Sequence, residues 1–128
     1  LEYSEEFHLA EVGYDVYNAN QTATELNSEG VTMVPIRQTT MGLNAACREL
    51  ERRWTDHTMR HGGNHVLRFM ADCVAVKEDG NGLMKPVKPS RHYSSKRIDG
   101  IVAVLNAMAR MIVHDGNSGY SQPTVMVL

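Results

Sequence analysis

The chain has 128 residues, 42% hydrophobic and 22% charged, a balance that suits one soluble domain with a modest core. No apolar run approaches the ~20 residues needed to span a bilayer, and the start Leu1-Glu2-Tyr3-Ser4-Glu5-Glu6 is acidic where a secretory signal is basic, so an intracellular protein with no membrane partner is expected. The net charge of -2 hides an asymmetry: residues 1–36 hold seven acids and no Lys or Arg, whereas residues 37–128 hold thirteen basic residues against eight acids.

Phe7 to Tyr14 alternates in character and reads as a strand with two useful faces, with Asp15 at its C-terminal end. Asn18 and Gln21 have the spacing of a capping box, and Ala19, Ala23 and Leu26 place a short helix that ends near Gly30. Val31 to Ile36 reads as a second strand, at an edge or ending early because Pro35 has no amide hydrogen. Strand, helix and strand in this order make a βαβ unit with parallel strands. Ligands in such sheets sit beyond the C-terminal ends of the strands, which is where Asp15 falls.

Thr39 or Thr40 is a candidate cap for a second helix. In it Leu43, Cys47, Leu50 and Trp54 recur at helical spacing, and that stripe assigns Trp54 to the core. The helix should end before His61-Gly62-Gly63-Asn64. Residues 65–71 suit a short helix and Val74 to Lys77 a short strand, with a turn over Glu78-Asp79-Gly80-Asn81-Gly82. Lys85-Pro86-Val87-Lys88-Pro89 should be extended, since residues before proline avoid the helical region. The last strong element is a helix from about Lys96 to Val113, with Ser94 or Ser95 to cap it. Its stripe is Ile98, Val102, Leu105, Ala109 and Ile112, widened by Ile101, Val104, Met108 and Met111. A helix this apolar packs on something large, such as a sheet. Val125 to Leu128 suits a small strand or a frayed end. Cys47 and Cys73 sit in or beside apolar patterns and read as buried thiols.

Asp15 and Asp99 are the candidate catalytic pair. Two aspartates from separate elements hold divalent cations if they converge, because Mg²⁺-like ions want carboxylate oxygens. Spacing leaves a second reading open for each: a turn aspartate bonding its own backbone for Asp15, and a complement to the helix dipole for Asp99. Basic residues are densest at Lys85, Lys88, Arg91, Lys96 and Arg97, and no acid falls between Gly80 and Ile98; such a segment either holds phosphates or simply solubilises a loop. His61 and His65 have i,i+4 spacing, but Gly62 and Gly63 oppose a helix and no Glu follows His61, so ordinary polar histidines are expected. Asp72 and Asp79 are further acids, the first able to face the site from the short strand region and the second a turn residue. Trp54 and Tyr93 have rings able to stack on bases.

Four segments carry a resemblance. Gly13-Tyr14-Asp15-Val16-Tyr17-Asn18-Ala19 is similar to the segment after the central strand of phage terminase large subunits. Leu43-Asn44-Ala45-Ala46-Cys47-Arg48-Glu49-Leu50-Glu51 looks like that family's following helix. His61-Gly62-Gly63-Asn64-His65-Val66-Leu67-Arg68-Phe69 resembles a segment in which the family usually has proline where His65 stands. Lys85-Pro86-Val87-Lys88 and Lys96-Arg97-Ile98-Asp99-Gly100-Ile101-Val102-Ala103 match the closing pattern, and together the segments span about residues 7–112 in family order.

The resemblance implies a partial ribonuclease-H-like nuclease fold of the α/β class. That means a parallel βαβ unit flanked by helices, with the C-terminal helix packed on the sheet, in a single and truncated domain over residues 1–128. It implies an endonuclease that cuts concatemeric double-stranded phage or prophage DNA during packaging in the host cytoplasm, using Mg or Mn, two ions in the complete site. Asp15 is then the middle acid and Asp99 the last. Lys85, Lys88, Arg91, Lys96 and Arg97 are its DNA-binding candidates. The terminase small subunit and the portal are the implied partners of the full-length protein. The family's first acid lies on a strand that should precede Phe7, and no nucleotide-binding loop of the motor is present among residues 1–128. The fragment is therefore expected to be inactive or weak, and to form a homodimer through the strand edge left open. The competing reading is a non-catalytic DNA-binding or assembly module that uses the segment from Lys85 to Arg97. A metabolite-binding regulatory domain is the third reading, opposed by the lack of a Gly-rich phosphate loop.

Overall fold

The computed structural model describes residues 6–17, 19–89 and 95–117. Val12–Tyr14 (β1), Asn20–Ser28 (α1) and Met33–Pro35 (β2) form the βαβ unit. Its strands are parallel, with Val12 opposite Met33, Gly13 opposite Val34 and Tyr14 opposite Pro35. Flanking bonds from Val12 N–H to the Thr32 carbonyl and from Ile36 N–H to the Tyr14 carbonyl, at 2.8 and 2.7 Å, close the ladder at both ends. β1 is shorter than the alternation from Phe7 suggests. In the same register His8 would face Glu29, the cap of α1, so no strand exists there to continue the ladder. The capping box also differs. Ala19 precedes α1 with no side-chain cap bond, Gln21 donates to Glu25 Oε1 at 2.9 Å instead, and Asn18 lies outside the described residues.

Thr40–Thr55 (α2) is capped by Thr39, whose hydroxyl oxygen accepts from Gly42 N–H at 3.0 Å. It stops at Asp56, and the next residue, His57, takes the left-handed conformation at φ 53°. His65–Cys73 (α3) is capped by Asn64, which accepts from Leu67 N–H at 2.9 Å. Ala75–Glu78 (β3) and Met84–Val87 (β4) pair antiparallel around the expected turn. Asp79 builds that turn: its Oδ1 accepts from the amides of Asn81 and Leu83.

One face of α2 clips the hairpin in place. Thr40 Oγ1 donates to Asp79 Oδ2 at 2.7 Å, Asn44 Oδ1 accepts from Met84 N–H at 3.1 Å, and Arg48 donates to the Gly82 carbonyl at 3.2 Å. These residues are four apart, so they lie along one helix face.

Asp99–Asn117 (α4) is the central element, touched by α2, α3 and β1. The core joins Leu43, Ala46 and Cys47 of α2, Leu67 of α3, Ile36 and Met84 to Ile101, Val104, Leu105, Met108 and Met111 of α4. The expected α4 stripe is rotated: Val102, Ala109 and Ile112 are only half-buried, while the residues expected to widen it are buried. Period alone cannot locate the centre of a face that three elements cover. Cys47 and Cys73 are buried free thiols, and burial pushes the Cys47 thiol above its ordinary range. The candidate caps Ser94 and the segment Val125 to Leu128 lie outside the described residues.

Candidate functional site

Asp15 follows β1 directly, and one of its oxygens is used locally: Oδ1 accepts from Tyr17 N–H at 3.1 Å. This is the turn bond that the residue type favours. Its second oxygen has no bond assigned among the described residues. Asp99 opens α4 and is exposed.

The relative direction of β1 and α4 is fixed by two contacts. Glu11, just before β1, pairs with Arg110 and with His114 Nε2, the latter at 2.8 Å. Gly13 lies over the backbone of Asn106, where a Cβ would come within 2.7 Å of the Asn106 carbonyl oxygen. Moving two residues along the strand therefore moves four residues back along the helix, ~6.6 Å against ~6 Å. The strand runs antiparallel to the helix, so the end of β1 and the start of α4 lie toward the same end of the pair. Asp15 follows the end of β1 and Asp99 opens α4, and among the described residues no bond joins them. Among the described residues no group of three or more His, Cys, Asp or Glu converges.

Gly100 helps seat that end of α4. Its N–H donates to Met70 Sδ of α3 at 3.0 Å, and a Cβ would come within 2.8 Å of the same sulfur.

Lys85 on β4 is half-buried, and its Nζ donates to the Gln38 carbonyl at 3.3 Å. Gln38 lies two residues past Ile36, which closes the β1–β2 ladder, so this ammonium sits beyond the C-terminal end of the parallel sheet. The Gln38 side chain donates to Asn106 Oδ1 at 2.9 Å and to the Ile36 carbonyl at 3.2 Å. Asn106 is the buried polar residue of the described core. Gln38 belongs to no sequence motif, and the signal for Asn106 is an amide amid the apolar residues of α4.

Lys88 and Arg97 are exposed and Lys96 is half-buried, flanking the approach to Asp99 along the chain, whereas Arg91 and Tyr93 lie outside the described residues. Asp79 is the expected turn residue, held below its ordinary carboxylate range chiefly by the Thr40 hydroxyl and then by the amides of Leu83 and Asn81. Asp72 is on α3 and not in the strand region; it lines an apolar cavity of about 500 Å³ between α2, α3 and the hairpin. Trp54 is not core. It is 53% exposed at the rim of this cavity and stacks on His61 with ring centroids 6.2 Å apart. α2 extends past its packing on α4, so the helical period persists where there is nothing to bury against. No helix joins the histidines: Gly62 and Gly63 take φ of 60° and 73°, and His65 starts α3.

The sequence pattern of the family described as "Terminase large subunit, endonuclease domain" matches residues 3–115. Among solved structures, the crystal structure of the HK97 bacteriophage large terminase is similar, with 24% identity and a TM-score of 0.72. The likeness covers 85% of this chain and 22% of that one, so the chain spans under a quarter of the relative's length. At this identity the likeness speaks for the fold, the ribonuclease-H-like nuclease arrangement. No curated protein sequence matches the chain.

Proposed function

The chain belongs to the terminase large-subunit endonuclease domain family, and from that premise we propose that it contributes two acids to a metal-dependent site that cuts double-stranded DNA during packaging. The supporting observation is the antiparallel packing of β1 on α4, which turns the end of the strand and the start of the helix the same way. Asp15 and Asp99 are the carboxylates that would hold Mg or Mn. The donor chemistry fits: Asp15 keeps one oxygen outside its turn bond, and Asp99 is exposed. When bound, a pair of such ions activates water and stabilises the leaving oxygen of a phosphodiester. The chain's own residues orient those carboxylates: the Tyr17 amide fixes the Asp15 carboxylate, and Gly100 seats the helix that carries Asp99. Lys85, Lys88, Arg91, Lys96 and Arg97 hold the DNA backbone without reading bases. The reading needs a third carboxylate, which the family resemblance assigns to a strand ahead of Phe7 in family order.

Asp99→Asn in the complete terminase subunit tests this. Partners one step removed from a metal are worth about 10–100-fold, so losing a direct ligand should cost more than about a hundredfold in cleavage while DNA association stays near wild type. Cleavage that survives the change removes Asp99 from the site.

A second reading, a DNA-holding or assembly module without catalysis, is favoured by the Asp15 turn bond, which gives that residue a structural task. It predicts DNA association with no cleavage in the complete protein under Mg or Mn. The edge of β1 away from β2 carries no strand among the described residues, and Leu9, Val16 and Tyr17 around it are 45%, 47% and 80% exposed. An open edge pairs readily with another chain, so this chain should form homodimers at high concentration; a stable monomer in size exclusion refutes that pairing. In the full-length protein the small subunit and the portal are the expected further partners.

A further inference from the structure

We infer that Gln38 and Asn106 are positioning residues, which hold Lys85 as a fixed phosphate contact at the end of the parallel sheet. This rests on the DNA-cleaving reading for its purpose, but its geometry stands apart from it.

Asn106 sits where β1 crosses α4, and it is 5% exposed. A buried amide must be paired, and Asn106 Oδ1 is paired by Gln38 Nε2 at 2.9 Å. The other hydrogen of that nitrogen goes to the Ile36 carbonyl at 3.2 Å. Both hydrogens of the Gln38 amide are therefore spent, one on the helix and one on the end of β2, and its side chain has a single orientation. That anchors the backbone of the connection between β2 and α2, whose Gln38 carbonyl accepts from Lys85 Nζ at 3.3 Å. An ammonium has three donors. One is used here, and no second acceptor is assigned among the described residues, so two point elsewhere. A lysine on an exposed loop loses its freedom when it grips a phosphate; a lysine already tethered by a fixed carbonyl has lost part of that freedom beforehand. Lys88 and Arg97 are exposed, and among the described residues neither is assigned a comparable contact.

The test compares the wild-type 128-residue chain with Gln38→Met, Lys85→Ala and the double variant. Gln38→Met keeps length and shape and removes both donors. The first readout needs no DNA: the order of the Lys85 ε-methylene and ammonium groups by NMR relaxation. Gln38→Met should make Lys85 as mobile as Lys88. Unchanged order overturns the proposal. The second readout is affinity for a short DNA duplex without divalent metal. Lys85→Ala should weaken binding by about tenfold, as the loss of one backbone contact does, and Gln38→Met should lose a few-fold. The double variant should bind no more weakly than Lys85→Ala. Multiplied losses mean that Gln38 acts independently of Lys85, which also overturns it. If the wild-type chain fails to bind DNA, the DNA-cleaving reading is what fails, and Lys85 order still decides the tether. Asn106→Asp, which keeps an acceptor for Gln38 Nε2, should restore Lys85 order where Asn106→Leu abolishes it. That rescue separates positioning from a general packing defect.

Discussion

The hairpin side and the β1 side of the molecule are each fastened to a helix, α2 and α4 respectively, by different means. On the hairpin side, three bonds from one face of α2 hold the β3–β4 turn, and behind them Leu43, Cys47 and Met84 join a continuous apolar core. On the β1 side, a three-residue strand touches α4 through a glycine, and a polar cluster of Glu11, Arg110 and His114 ties down its beginning. The first arrangement is redundant and joins residues 34 to 40 positions apart. The second depends on few contacts between residues about a hundred positions apart. Asp15 therefore follows a strand tied to its helix, among the described residues, by the side-chain bonds of one residue, Glu11.

The comparison breaks most completely at α4, which both sides share. Leu105 is 1% exposed, and Leu105→Ala should cost about 2–5 kcal/mol through lost burial and a cavity. Urea unfolding should then show both sides losing protection together. Gly13→Val acts on one side only. Its side chain would meet the Asn106 carbonyl, and such overpacking costs about 1–3 kcal/mol. Hydrogen exchange should quicken at Val12 and Ile36 while the interior of α2 stays protected. Asn44→Leu attacks the other side and leaves the Met84 amide unpaired, for about 1 kcal/mol. Because the neighbouring clips survive, β1 exchange should not change.

Acid separates the two sides more gently. Glu11 is held below its ordinary value of 4.5, first by the Arg110 bond and then by His114, against the opposing effect of burial. Glu49 on α2 is held lower, at about 2, by Arg52 and then Arg53. A carboxylate whose folded value is depressed adds stability that is fully present above its unfolded value and is lost as pH falls through its folded value. Both contributions should thus be intact above about pH 5 and fade below 4.5, with that of Glu49 surviving toward pH 2. Glu11→Gln should flatten the acid dependence read at β1, and Glu49→Gln that read at α2; the opposite assignment refutes it.

Much of this was legible in the sequence. The βαβ order, the Thr39 cap, the α3 start at His65 and the Asp79 turn all follow from local chemistry, and local chemistry decides such elements. The misses have a common cause. Trp54 continues the α2 period past the point where α4 covers it, and the α4 stripe is centred on Ile101, Leu105 and Met108 because three elements surround that helix. Strand β1 stops at Val12 because its partner does, a fact that belongs to the pair and not to either segment. The site divides likewise. Asp15 and Asp99 are visible as acids at element ends, and the proposal that they face one way rests on the antiparallel crossing at Gly13. Gln38 has no motif at all, and its role appears only when Asn106 and Lys85 meet it from elsewhere in the chain.

The most direct measurement is a crystal structure grown or soaked with Mn²⁺, followed by anomalous scattering. The expected result is Mn²⁺ bound by both the Asp15 and Asp99 carboxylates in one cleft, a complete site holding two ions about 3.5–4 Å apart. Carboxylates that face separate surroundings in the complete subunit, with no Mn²⁺ shared between them, would contradict the shared site and leave Asp15 as a turn residue and Asp99 as a helix-end charge.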